Sequence, residues 1–248
     1  MITLKMLTER ENSMKLFLAG LNVEAKTRYE FSEKLTENYL SSSENTDFAV
    51  EVTDEDIKNE AEKSDVRYPI GYLESIALYR KIAEKLPFYD AVVFHGAVIA
   101  FKGRAYAFTA RSGVGKTTHI RLWLERFGDA VHILNGDKPI LRVIDGVVYA
   151  SGTPWRGKEG YGVPEMLSLE AIAFIDRAEE PVAREITSSE ALTRLASQMY
   201  VPNEPRAAML SLSVLNKIIS GVKLYDVRAN MNPESAEASF TALTGEEL

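Results

Sequence analysis

The chain has 248 residues, 46% hydrophobic and 26% charged, with a formal net charge of −7 and no cysteine. That length suits one α/β domain over 1–248, and the missing cysteine removes disulfides, thiolate metal sites and a cysteine nucleophile. The negative charge argues against nucleic acid as a partner, and no apolar run nears the roughly 18 residues needed to cross a membrane.

The opening stretch, MITLKMLTERENSMKLFLAG, carries charges where a signal peptide needs an unbroken apolar run, so a cytoplasmic location is expected. Its first 13 residues read as a loose leader, with Met14 as a candidate second start. Residues 17–23 read as a strand. Phe31, Leu35 and Tyr39 step by four and predict a helix over 29–40. Phe48, Val50 and Val52 alternate as a half-buried strand does, and the acidic stretch 53–65 reads as a solvated helix or loop. Ile76, Tyr79, Ile82, Ala83 and Leu86 form a helical stripe that Pro87 stops.

Residues 91–101, AVVFHGAVIAF, read as one continuous apolar strand. Lys102-Gly103 turns the chain into a second strand over 104–109. A helix over 116–127 follows, then strands at 130–134, 140–144 and 147–150. The last two are joined by Asp145-Gly146, a strong hairpin turn. Beyond a glycine-rich stretch, a strand is expected over 169–175, helices over 188–199 and 205–219, a strand over 223–227 and a helix over 235–243. Strands and helices interleaved in this way predict an α/β fold on a mixed β-sheet. Residues 14–90 would form an N-terminal subregion and 91–248 the core.

The strongest local pattern is A-R-S-G-V-G-K-T at 110–117, which departs from the phosphate-binding pattern G-x-x-x-x-G-K-[ST] only at Ala110. A strand enters it and an amphipathic helix leaves it, with Ile120, Trp123, Leu124 and Phe127 on one face. Glycines at 113 and 115 let successive N–H groups turn inward, and the helix N-terminus adds partial positive charge. Ser112, Gly113, Val114, Gly115, Lys116, Thr117 and Thr118 are therefore the candidate nucleotide-binding residues. Lys116 would meet the β- and γ-phosphates of ATP, and the Thr117 hydroxyl would ligate Mg²⁺.

Phosphoryl transfer also needs a carboxylate for the metal and a group to manage the acceptor proton. The strand after the 116–127 helix runs into Asn135-Gly136-Asp137, which makes Asp137 the candidate metal ligand or base. His95 is the candidate catalytic histidine, since Gly96 beside it permits a bulge or close backbone approach. His119 and His132 read as structural. In the stretch 152–158, G-T-P-W-R-G-K, Arg156 or Lys158 could serve as a lid cation over a transferring phosphoryl group.

With Phe94-His95-Gly96, A-R-S-G-V-G-K-T, a strand running to Asp137 and then G-T-P-W-R-G-K, the chain resembles the catalytic domain of HPr kinase/phosphorylase. It looks closest to HPr-kinase-like proteins found beside peptide-modification genes, a group that shares its fold with ATP-type phosphoenolpyruvate carboxykinase. The resemblance covers about residues 90–160. It implies a P-loop nucleotide-binding core, Mg-ATP held by Gly113, Gly115, Lys116 and Thr117, and His95 at the place of the histidine beside the family's catalytic acid. With the loop reading above, the expected catalytic set is Asp137, His95, Lys116 and Arg156. The acceptor would be a hydroxyl of a peptide, protein or small molecule. That family usually carries two adjacent aspartates where this chain reads Gly136-Asp137. Either Asp137 does both jobs, or the transfer differs, or the protein is a nucleotide-binding sensor that transfers nothing. The family's HPr-gripping loop is not evident, so HPr is not the expected acceptor.

Overall fold

The computed structural model describes residues 12–248. The chain divides into two compact units at Ile82/Ala83. The expected leader falls on residues 1–11, outside the described residues, except that Asn12 and Ser13 open the first strand.

In the first unit, β1 (Asn12–Leu18) and β2 (Leu21–Thr27) form an antiparallel hairpin, and β3 (Phe48–Glu51) lies parallel beside β2. The single strand expected over 17–23 is therefore broken. Ala19 and Gly20 take φ of 50° and 75°, the left-handed pair that closes a two-residue hairpin. Helices α1 (Glu30–Thr36) and α2 (Asp54–Glu62) follow, and α3 (Ile70–Lys85) runs across the division. Thr53 and Asp56 close a capping box on α2, which settles the acidic stretch as a helix. The start of α1 has no cap of its own. The buried Glu74 of α3 instead fastens the backbone leading into it, accepting from Arg28 N, Tyr29 N and Ser32 Oγ at 2.6, 3.1 and 2.7 Å.

The second unit is built on a nine-stranded mixed sheet. Its strands are β4 (Ala91–Val93), β5 (Ala97–Phe101), β6 (Arg104–Thr109), β7 (Val131–Asn135), β8 (Ile140–Ile144), β9 (Val147–Ser151), β10 (Met166–Arg177), β11 (Val182–Glu185) and β12 (Lys223–Ala229). The spatial order is β4-β8-β9-β10-β6-β5-β7, with β12 and then β11 beside the later part of β10. β10 runs parallel to β6 and β12, whereas β9 pairs antiparallel with its first residues. The α/β class and mixed sheet expected from the sequence are what is found.

Alternation along the strands sorts two cores onto the two faces. Ala105, Ala107, Ile172, Phe174 and Leu224 face α5 (Ser188–Ala196) and α6 (Pro205–Gly221). Tyr106, Phe108, Ala173, Ile175 and Tyr225 face α4 (Lys116–Phe127) and α7 (Glu234–Thr244), where Trp123 and Phe240 complete an aromatic cluster. With both faces covered, the central strands are apolar on both sides, which is why they read as unbroken hydrophobic runs.

The strand expected over 91–101 is two strands. β4 pairs with β8 near one end of the sheet, and β5 lies between β6 and β7 near the other. Between them the backbone of 94–96 bonds elsewhere: Phe94 N to Pro139 O at 3.0 Å, His95 N to Gln198 O at 2.7 Å and Gly96 N to Asp137 O at 3.1 Å. A side chain at Gly96 would lie 2.8 Å from the Phe108 carbonyl, so only glycine fits this crossing.

Candidate functional site

β6 delivers the chain into the loop 110–115, and α4 begins at Lys116. Gly113 and Gly115 take φ of 78° and 128°, and a Cβ on either would meet nothing within 4 Å. Glycine is needed there for backbone conformation and not for space. Ala110 has no positive φ and is buried, so alanine in place of the pattern's glycine costs no backbone strain. Val114 N bonds Arg111 O at 3.1 Å and tightens the loop, while no side chain caps α4. A helix whose first N–H groups are uncapped is a ready anion site.

Arg177, the last residue of β10, grips this loop from outside. Its Nε donates to Val114 O at 2.8 Å and its Nη2 to Gly113 O at 2.5 Å. Because a peptide's C=O and the next N–H point opposite ways, holding the Val114 carbonyl outward turns Gly115 N–H inward. Nothing in the sequence around Arg177 signals this role, since its partners lie more than sixty positions earlier.

The Lys116 side chain crosses to the end of β7, where Nζ donates to Gly136 O at 2.9 Å. Asp137 next to it faces His95, with Oδ1 3.4 Å from His95 Nε2, and Lys138, with Oδ2 3.6 Å from Nζ. Burial pushes the Asp137 carboxyl up, but the His95 hydrogen bond and the Lys138 and Lys116 charges outweigh it and leave the group more acidic than usual. Burial lowers the pKa of Lys116 and of Lys138, with the Asp137 charge opposing in both. Lys138 is a second cation at this mouth that the sequence pattern did not single out.

The turn that presents Asp137 is held by Asn135. Its Oδ1 accepts from Asp137 N and Lys138 N at 2.9 and 2.8 Å, and its Nδ2 donates to Thr153 Oγ1 at 3.1 Å. Gly136 is closely packed: a Cβ there would lie 3.2 Å from Arg156 O and 3.5 Å from the Tyr161 side chain.

The stretch 152–165 folds back along β7. Gly136 N bonds Tyr161 O at 3.0 Å, Val163 N bonds Leu134 O at 3.1 Å and Gly152 N bonds Glu165 O at 2.9 Å. Glu159 and Tyr161 thereby line a small recess with Lys116, Thr117 and Gly136. Gly157, at φ 72°, abuts Asp137, whose Cβ is 2.9 Å from where a side chain would begin. The stem of Arg156 lies over Gly162, and Lys158 is exposed. Ser112 is exposed, Val114 and Thr118 half-buried.

The other two histidines sit apart from this chemistry. His119 is buried, with Nε2 2.9 Å from Ser239 Oγ, and burial lowers its pKa from 6.5 to about 4. His132 Nε2 lies 2.7 Å from Glu165 Oε2 on an exposed edge.

For Mg²⁺, the acidic Asp137 carboxylate and the Thr117 hydroxyl are the hard oxygen donors expected of such a site. Among the described residues no three His, Cys, Asp or Glu side chains could hold a metal together. The ion would therefore take its remaining ligands from phosphate and water, as Mg²⁺ commonly does.

No family model matches the chain, and no curated protein does. Among solved structures it is similar to "Structure of the Hpr(Ser) kinase/phosphatase from Coxiella burnetii", at 10% identity and TM-score 0.37 over 62% of this chain and 93% of that one. A likeness that slight bears on neither mechanism nor substrate. No helix among the described residues is long and apolar enough to cross a membrane.

Proposed function

We propose that the protein is an ATP-dependent kinase of the HPr-kinase-like type, moving the γ-phosphate of Mg-ATP onto a hydroxyl of a small molecule, peptide or protein. The supporting observation is one arrangement. An uncapped helix N-terminus behind a glycine-rich loop sends its lysine to the backbone beside an Asp–His pair.

In this reading the backbone of Ser112, Gly113, Val114 and Gly115 cradles the phosphates, with the Thr118 hydroxyl near the same helix turn. Lys116 exchanges the Gly136 carbonyl for the β- and γ-phosphates. Thr117 and Asp137 ligate Mg²⁺. Asp137, with Oδ1 3.4 Å from His95 Nε2, orients that imidazole, which accepts the acceptor's proton. The bond from the γ-phosphorus to the bridging oxygen breaks, ADP leaves with the electron pair, and the acceptor oxygen takes the phosphoryl group. Arg156, on the loop along the site, would offset charge on that group.

The test is incubation with Mg²⁺ and γ-labelled ATP, with and without extract from the protein's own source. Label should move to an acceptor with the intact protein and not with Lys116→Ala. Undiminished transfer by that variant would sink the assignment.

A second reading is a nucleotide-gated binding protein. Gly136, standing where the resembled family has its first aspartate, favours it. Tight nucleotide binding with the label remaining in ATP would establish it.

A further inference from the structure

A cavity of about 490 Å³ lies beside the glycine-rich loop, and neither Lys116 nor Thr117 is part of its wall. It sits at the C-terminal ends of the parallel strands β6 and β10, where α/β sheets bind their ligands. Thr109, Ala110 and Arg111 form one wall, Phe174 to Asp176 the floor, and α5 with the residues just after it the other wall. We propose that this cavity holds the phosphate acceptor, and that the acceptor is a small hydroxyl-bearing carboxylate. The proposal rests on the kinase reading above and narrows its substrate.

Three observations carry it. The first is charge. Arg194 in the wall bonds Asp176 at 2.8 Å and Asp226 at 2.7 Å, and Arg228 lies 3.6 Å from Asp226. Those two cations and two anions cancel. Arg111 is left as the uncompensated charge of the wall, its guanidinium without a partner among the described residues. An exposed guanidinium free of ion pairs is open to one anionic group, and its planar fork meets a carboxylate with two parallel hydrogen bonds.

The second is hydrogen-bonding chemistry. Thr193 and Ser197, four residues apart, share one face of α5 and its C-terminal turn toward the cavity. The Thr193 hydroxyl has no partner among the described residues, while Ser197 Oγ donates to Arg194 O at 2.8 Å. Polar groups of this kind over the apolar Phe174 and Ile175 suit a short polar molecule.

The third is the connection to the proton acceptor. Thr109 Oγ1 lies 2.8 Å from His95 O and 3.1 Å from Gln198 Oε1, and His95 N bonds Gln198 O. The cavity therefore shares its wall with the strand break that presents His95 to Asp137. An acceptor seated here has the loop's leading residues on one side and, on the other, Gln198, whose carbonyl accepts from the His95 backbone N–H. Its hydroxyl oxygen forms the new bond to the γ-phosphorus, its proton passes to His95, and ADP is the leaving group.

The experiment separates an extract into small molecules and macromolecules and offers each with γ-labelled Mg-ATP to three proteins: the natural one, Ser197→Trp and Thr193→Trp. Binding of a fluorescent ATP analogue and the melting temperature are read alongside. The natural protein should label a hydroxy acid in the small-molecule fraction. Both tryptophan variants should bind the analogue normally and transfer about a hundredfold more slowly, because the indole displaces the acceptor. Transfer by a well-folded variant at the natural rate overturns the cavity assignment. Label confined to macromolecules, or a product without a carboxylate, overturns the acceptor class even if both variants fold poorly. Intact nucleotide binding with no transfer by the natural protein removes the kinase reading, and the acceptor site with it.

Discussion

Replacing Arg177 with Gln asks whether the loop's shape is intrinsic or imposed. The two bonds from its guanidinium, to Val114 O and Gly113 O, hold carbonyls that glycine alone leaves free to rotate. A hydrogen bond from a charged group contributes roughly 1.5–3 kcal/mol when sheltered, and about 1 kcal/mol in an exposed setting such as this. Losing both, about 2 kcal/mol, should fall on nucleotide affinity, since the phosphates must then reorder the loop themselves. That is about a 30-fold rise in Kd for Mg-ATP. Arg177→Lys keeps the charge and at most one bond, so it should recover part of the loss. Titration with a fluorescent ATP analogue measures both variants, with thermal melting as the control for global stability. An unchanged Kd in Arg177→Gln would refute the reasoning, because the loop would then hold its conformation unaided. So would a loss of affinity matched by an equal fall in stability.

Other consequences are open to direct measurement. His119 is kept neutral by burial: its pKa falls from 6.5 to about 4 on folding, so between those values the unfolded chain binds the proton and the folded one does not. Stability from this group is complete above about pH 6.5 and lost as pH falls toward 4, on the order of 3 kcal/mol in all. Melting curves across that range should show the loss, and His119→Gln should flatten it. Gly157→Ala forces a side chain onto a left-handed residue 2.9 Å from Asp137 Cβ, which should cost about 1–3 kcal/mol and slow transfer by displacing that carboxylate. An unaltered melt and rate would show that the loop yields. Asn135→Ala leaves the Asp137 and Lys138 N–H groups without their acceptor, and should cost about 2–4 kcal/mol by denaturant titration.

How much of this was legible depended on how far apart the deciding residues lie. Lys102-Gly103 and Asp145-Gly146 could be read as hairpin turns from the sequence, and both adopt left-handed pairs. Ala19-Gly20 adopts the same geometry without a sequence signal, because alanine is a rare occupant of that region. The loop 110–117 was legible because its strand, glycines and helix are contiguous. The break at 94–96 was not, since uniform apolarity hides it and its cause lies in Pro139, Gln198 and Asp137. β11 carries no strand signal, because Val-Ala-Arg-Glu on an exposed edge has no apolar alternation. In the site, Asp137 could be picked from its place after a strand, whereas Arg177 and the Arg194 ion pairs belong to residues joined only by folding.

The stretch 152–165 also bears on how copies of this protein coexist in solution. β7 pairs with β5 on one side, and along its other side Tyr161, Gly162 and Val163 take up backbone groups of Leu134, Asn135 and Gly136. An uncovered strand edge is a template for adding a foreign strand. Shortening this stretch to open the site for engineering would therefore create a sticky margin as well as a wider mouth. Such a variant should elute as concentration-dependent oligomers, and a lysine placed at Ile133 or Leu134 would not be a remedy, because both are buried.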